Sequence, residues 1–265
     1  MSTVVVVHAH PDDEAIFTGG TIALLAAAGH RVVVVYATSG ELGVGAGPGL
    51  AEARRDEARA ACNLLGAERV VFLDHHDSGT SHDPRERPLG AFAGVSVDVA
   101  ADHLAAVVEG ERADALVTYD SGGVYPHPDH VHAHRVGSMA AGLVGLLTWY
   151  EVTVDREYLH FVDTHVAALA GESIAPMLEL GSPTVEITNT VDVRGVLGLK
   201  LAAIAEHRTQ VVDPTFGAAD SFPEVYGYEW FIRHGRPGPI DALTAGAAGL
   251  RRPAWRSGQT LPVGR

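Results

Sequence analysis

Val4–Val7 and Val32–Val35 are uninterrupted runs of valine, with no polar residue at alternate positions. A strand wetted on one face would alternate. A continuous β-branched run suits a parallel strand covered on both faces, so strands are expected at Val4–His8 and Arg31–Ala37. Between them Thr18–Ala28 reads as a helix of small and apolar residues, closed by Gly29 at the position after its end. The alternation continues with an amphipathic helix at Leu50–Leu65 stopped by Gly66, a short strand at Val70–Leu73 and a helix at Ser96–Glu109. A strand at Ala113–Thr118, a helix at His130–Leu147 and a strand at Trp149–Val154 follow. Strands and helices in strict turn predict an α/β, Rossmann-like fold, a mostly parallel sheet with helices on both faces.

Beyond about residue 155 the pattern weakens. Val185–Ile187 reads as a strand, Val193–His207 as a helix, Asp213–Tyr228 as a Pro-, Gly- and aromatic-rich loop, and Arg251–Arg265 as a loosely ordered tail. There is no internal repeat and no clear linker, so residues 1–265 are read as one domain.

Composition narrows the function. With 46% hydrophobic and 20% charged residues a large core is available. A formal net charge of −14 argues against a nucleic-acid binder and against docking on an anionic membrane. The single cysteine, Cys62, permits neither an intrachain disulfide nor a cysteine metal site, and reads as a buried small apolar residue. The four N-terminal valines fall short of the roughly 7–15 apolar residues of a signal peptide, and of the roughly 20 of a spanning helix. A soluble cytoplasmic protein is expected.

Two polar clusters follow predicted strands: His10-Pro11-Asp12-Asp13-Glu14, and His127-Pro128-Asp129-His130. Open α/β sheets gather reactive groups where strands end. A catalytic zinc takes three ligands from His and carboxylate and keeps a fourth position open. His10 and Asp13, three residues apart, can face one point, and His130 can supply a third donor. Asp12 is then left as general base for the attacking water. His127 can stabilise an oxyanion or protonate the departing amine, and Asp129 can hold an imidazole by its second ring nitrogen. Spacing alone does not choose among His127, His130, His132 and His134 as ligands. Ser39-Gly40-Glu41 also follows a strand, which puts Glu41 on the same sheet edge as a candidate substrate-binding carboxylate. Gly43, Gly45, Gly47 and Gly49 make a flexible stretch able to close over substrate.

Ala9-His10-Pro11-Asp12-Asp13-Glu14 together with His127-Pro128-Asp129-His130 resembles the PIG-L/LmbE-like zinc N-deacetylases. The resemblance implies metal ligands His10, Asp13 and His130, base Asp12 and oxyanion histidine His127. It extends over roughly residues 3–234. Arg54 matches a substrate-contacting arginine, and Asp77-Ser78-Gly79 is similar to an element of mycothiol-pathway members. In Gly122-Gly123-Val124-Tyr125, Tyr125 stands where an oxyanion-assisting tyrosine is found, although Val124 lengthens the element by one residue. His207-Arg208-Thr209-Gln210 resembles a late element near the active site.

The implied activity is hydrolysis of an N-acetyl or longer N-acyl group from a glucosamine-type sugar or glycoconjugate, with one Zn2+ per chain (Fe2+ as the alternative). An amidase of thiol-sugar conjugates and a non-catalytic sugar- or metal-binding protein of the same fold are the rival readings. The expected partner is a small acylated amino sugar, and a homo-oligomer is left open.

Overall fold

The computed structural model of the protein describes residues 1–164, 180–211 and 222–245. In chain order the elements are β1 (Thr3–His8), α1 (Gly19–Ala27), β2 (Arg31–Thr38), α2 (Leu50–Leu65) and β3 (Arg69–His75). Then come α3 (Val97–Gly110), β4 (Ala115–Tyr119), α4 (Pro128–Val144), β5 (Thr148–Thr153) and α5 (Arg156–Val162). The rest are β6 (Asn189–Asp192), α6 (Leu197–Glu206), α7 (Phe222–Tyr226), β7 (Tyr228–Gly235) and α8 (Pro239–Ala245).

One seven-stranded sheet runs β3-β2-β1-β4-β5-β7-β6. β1 to β5 are mutually parallel, while β7 runs antiparallel to both its neighbours. The α/β, mostly parallel architecture is therefore as expected. Val4–Val7 and Val32–Val35 are buried, with α1, α2 and α6 packed together and α3 packed on α4. Gly29 and Gly66 both adopt positive φ just past α1 and α2, as a left-handed helix stop requires. No helix of the described residues is long and apolar enough to cross a membrane.

Strand order matters most at β1. Its pairing with β4 (Val5 opposite Leu116) and with β2 (Val5 opposite Val33) makes it the point where chain direction along the sheet reverses. The loops leaving β1 and β4 diverge there and open a crevice at the carboxyl edge, where α/β sheets bind ligands.

The departures lie late in the chain. Val185 is exposed within a 3₁₀ turn, Thr184–Glu186, and the nearby strand is β6 instead. The expected loop at Asp213–Tyr228 falls partly outside the described residues, but its end forms α7 and leads into β7. The helix expected from His130 begins at Pro128, with His127 as its cap, because proline suits the first helical position. The tail from Arg251 lies outside the described residues.

β7 was hidden by its polar residues. Glu229 is buried because it serves two elements at once. Its carboxylate accepts the Gly20 and Thr21 N–H groups of α1 at 2.8 and 2.7 Å, and the Lys200 ammonium of α6 at 2.8 Å. Removing one partner of a buried pair strands the other. Lys200→Met is expected to lower stability by about 3 kcal/mol, read as a shifted urea midpoint; an unchanged midpoint would contradict the bridging role.

Candidate metal centre and active-site cavity

Both polar clusters reach the crevice beside β1. The first loop turns sharply: Asp12 has φ 111°, a conformation rare for a side-chain-bearing residue, and a wide π turn, Glu14–Thr18, follows at once. Arg54 holds this turn from α2. Its guanidinium donates to Pro11 O, to Gly40 O at 2.7 Å and to Asp12 Oδ2 at 3.3 Å. Glu14 holds it from the other side, accepting the Asp12 N–H at 3.0 Å and pairing with His207 Nε2 at 2.7 Å, both side chains fully buried.

The second loop is shaped by Asp120, at the end of β4. Its carboxylate accepts Gly122 N–H at 3.0 Å, Val124 N–H at 2.8 Å and the Thr153 hydroxyl at 2.5 Å. The inserted Val124 sits at φ 65°, buried, and its carbonyl accepts the Gly181 N–H. Gly123, at φ 75°, lets the loop touch α4: a Cβ there would lie 2.6 Å from His130 Cβ.

Three donors meet between the loops. Asp13 Oδ2 lies 3.3 Å from His130 Nε2 and 3.5 Å from His10 Nδ1. His130 Nδ1 bonds Gly123 O at 3.0 Å, so it carries the proton and leaves the Nε2 lone pair facing the centre; that Nε2 is buried without a hydrogen bond. Asp129 Oδ2 lies 3.2 Å from His10 Nε2, which turns Nδ1 inward. The same carboxylate accepts the Ser78 N–H, Ser78 hydroxyl and Ala93 N–H. The donor set therefore fits a divalent cation: two imidazoles held by their outer nitrogens, one carboxylate, and a buried imidazole nitrogen lacking a partner.

His127 is close as well. The side-chain donors of His10, His127 and His130 lie within 4.8 Å of one another, as do those of His10, Asp77 and Asp129. His127, however, spends Nδ1 on capping α4, accepting the Asp129 N–H at 3.2 Å. Its ring proton is then on Nε2, which makes it a neutral hydrogen-bond donor. Burial and the neighbouring His10 and His130 push its pKa down to about 4, in the same direction. His132 packs edge-on against Phe92, and His134 bonds Tyr119 O; neither joins the centre.

A cavity of about 140 Å³ opens beside these donors, lined in part by Asp12, Arg54, Asp77, Tyr125, His127 and Gln210. Burial, reinforced by the charge of Asp13, pushes the Asp12 carboxyl up to about 7 against the opposing pull of Arg54. Asp77 faces the cavity, with its carboxylate accepting Leu42 N–H at 3.1 Å and Gly79 N–H at 2.8 Å. Glu41 is not among the cavity walls. It accepts the Asp77 N–H at 3.0 Å and braces the loop behind it. Gln210 straps the glycine-rich segment, bonding Val44 N and O at 3.0 and 3.2 Å.

Tyr119 had no role in the sequence reading. Its hydroxyl donates to Asp13 Oδ2 at 2.7 Å and accepts the Ala9 N–H at 2.9 Å, so it fixes the carboxylate between the imidazoles. Asp120 and Ser78 were likewise unassigned. A strand ending in Tyr and Asp (Tyr119-Asp120) beside the second cluster was the available signal.

The profile of PIG-L, GlcNAc-PI de-N-acetylase, matches residues 5–141, the stretch that carries both clusters. The chain belongs to the PIG-L family. A 1D-myo-inositol 2-acetamido-2-deoxy-alpha-D-glucopyranoside deacetylase of Thermobispora bispora is 36% identical over 288 residues, covering 94% of each chain. Among solved structures, the N,N'-diacetylchitobiose deacetylase of Pyrococcus horikoshii superposes with a TM-score of 0.55 at 24% identity, over 88% of this PIG-L chain and 84% of its own. A 4-carboxy-2-hydroxymuconate hydratase of Pseudomonas putida gives 0.56 at 20%, over 90% and 98%. A hydratase on the same fold shows that the fold alone does not fix the chemistry.

Gly123 and Gly122 test the geometry together. Gly123→Ala is expected to push His130 off the centre, lowering metal occupancy and costing about 1–3 kcal/mol. At Gly122 an added Cβ meets nothing nearer than Asp120 Oδ1 at 3.5 Å, so Gly122→Ala should leave both unchanged. Equal effects of the two substitutions on metal content would contradict the close approach.

Proposed function

We propose that this PIG-L protein hydrolyses the N-acetyl group of a glucosamine-containing sugar, with one zinc ion held by His10, Asp13 and His130. The observation that carries the reading is that Asp12 lines the cavity together with His10, one of the three donors, with its own carboxylate outside that set. A merely metal-binding site has no use for it. A PIG-L relative that covers nearly the whole chain and is named for removing acetyl from a GlcNAc-inositol supports this substrate class. The 1D-myo-inositol glycoside of GlcNAc is thus the first substrate to try.

Zinc at these donors supplies a Lewis acid for the amide carbonyl and lowers the pKa of water from about 15.7 toward 7. Asp12 takes the proton of the attacking water, its carboxylate aimed by the strained φ and steadied by Arg54. His127 Nε2–H and the Tyr125 hydroxyl donate to the carbonyl oxygen as negative charge builds on it. The departing nitrogen needs one proton, and Asp12 has just collected one. Asp77 and Arg54 present polar groups to the sugar hydroxyls, while Asp129 keeps His10 oriented.

Amine release from the GlcNAc-inositol glycoside, with metal content measured in parallel, tests the roles separately. Asp12→Asn should keep its metal and lose about 10²–10⁴-fold in turnover. His130→Ala should lose the metal itself. Full activity in Asp12→Asn, or full metal content in His130→Ala, would contradict the assignment.

A further inference from the structure

A second cavity, of about 180 Å³, adjoins the first, and Tyr125 is a wall of both. Its other walls include Ile16, Phe17, Leu159, Val225 and Trp230. It begins close to the proposed metal: the Phe17 ring is 6.3 Å from the His130 ring and 6.4 Å from that of Tyr125. Ile16 N–H bonds Asp12 O at 3.1 Å, which ties this cavity's wall to the turn carrying the base.

The two cavities differ in chemistry. The one with Asp12, Arg54, Asp77 and Gln210 offers hydrogen-bonding groups. The second is mainly aliphatic and aromatic. Its one charged feature, Lys200 with Glu229, is closed on itself, the Glu229 oxygens being taken by Lys200 and by two N–H groups of α1. It therefore offers no net charge to a ligand. A hydrolysed amide has two arms diverging from the carbonyl carbon: the nitrogen with its sugar, and the acyl chain. A polar cavity and an apolar one meeting at Tyr125, whose hydroxyl is aimed at the carbonyl oxygen in the mechanism above, match those two arms.

We infer that the apolar cavity is an acyl subsite, and that the substrate range of this protein extends to N-acyl chains of about six carbons. The inference rests on the proposed amide hydrolysis. The size follows from volume, since roughly 150 Å³ of apolar space suffices for benzene. Each methylene buried there should favour the longer chain by up to about fourfold.

The test compares kcat/KM for N-acetyl- and N-hexanoylglucosamine glycosides in the wild-type holoenzyme and in Val225→Phe, which narrows the cavity. The wild type is expected to cleave the hexanoyl amide at least as efficiently as the acetyl amide. In Val225→Phe the hexanoyl-to-acetyl ratio should fall by at least tenfold. Titration calorimetry on zinc-loaded Asp12→Asn gives a binding measurement with turnover slowed and without the packing change, in which the hexanoyl amide should bind at least tenfold more tightly than the acetyl amide. Cleavage of acetyl alone, or a ratio indifferent to Val225→Phe, would overturn the subsite and leave the deacetylase reading standing. Cleavage of neither amide would overturn both.

Discussion

Because β1 pairs in parallel with β2 on one side and β4 on the other, the chain leaving His8 and the chain leaving Tyr119 part at the carboxyl edge of the sheet. The crevice between them needs no special residue to form; it follows from strand order. What the sequence adds is a lock across it. The Tyr119 hydroxyl, at the end of β4, holds both the Ala9 N–H and the Asp13 carboxylate of the loop after β1. The two polar clusters are thereby set against a frame whose strands are buried on both faces and cannot shift cheaply.

Such a centre carries an electrostatic cost. Asp13, Asp77 and Asp129 all lie within 3.7 Å of a ring nitrogen of His10, and like charges brought out of water repel. Burial disfavours charge on His10, but Asp129, Asp13 and Asp77 outweigh it and hold the imidazole's pKa well above its usual range. A divalent cation offsets the same charge more fully. The remaining carboxylates are satisfied by neutral donors: Ser78 and Ala93 N–H on Asp129, Leu42 and Gly79 N–H on Asp77. Strain is concentrated on Asp12 and Val124, one on each loop, and each is over-determined by hydrogen bonds from elements outside its own loop.

The parallel half of the sheet was legible because a strand covered on both faces must be apolar at every position, as Val4–Val7 and Val32–Val35 are. The proposed ligand loops were legible because their donors are neighbours in sequence. The supports were not: Tyr119 meets Asp13 across 106 residues and His207 meets Glu14 across 193, and no local pattern records such a pairing. β7 escaped for a related reason. Glu229, Arg233 and His234 interrupt its apolar run, and the burial of Glu229 makes sense only with α1 and Lys200 in place. Arg54 shows the limit of motif transfer. It lines the cavity, yet its guanidinium is bound to the main chain of two loops, so its first task is to hold the turn that aims Asp12.

In the proposed site both loops serve one metal with three protein ligands. The most direct test is anomalous diffraction from crystals of the zinc-loaded protein on either side of the zinc edge. One strong peak per chain is expected, about 2.0–2.2 Å from His10 Nδ1, an Asp13 oxygen and His130 Nε2, with His127 outside bonding distance. A peak held instead by His10, Asp77 and Asp129, or no peak in the crevice, would contradict it.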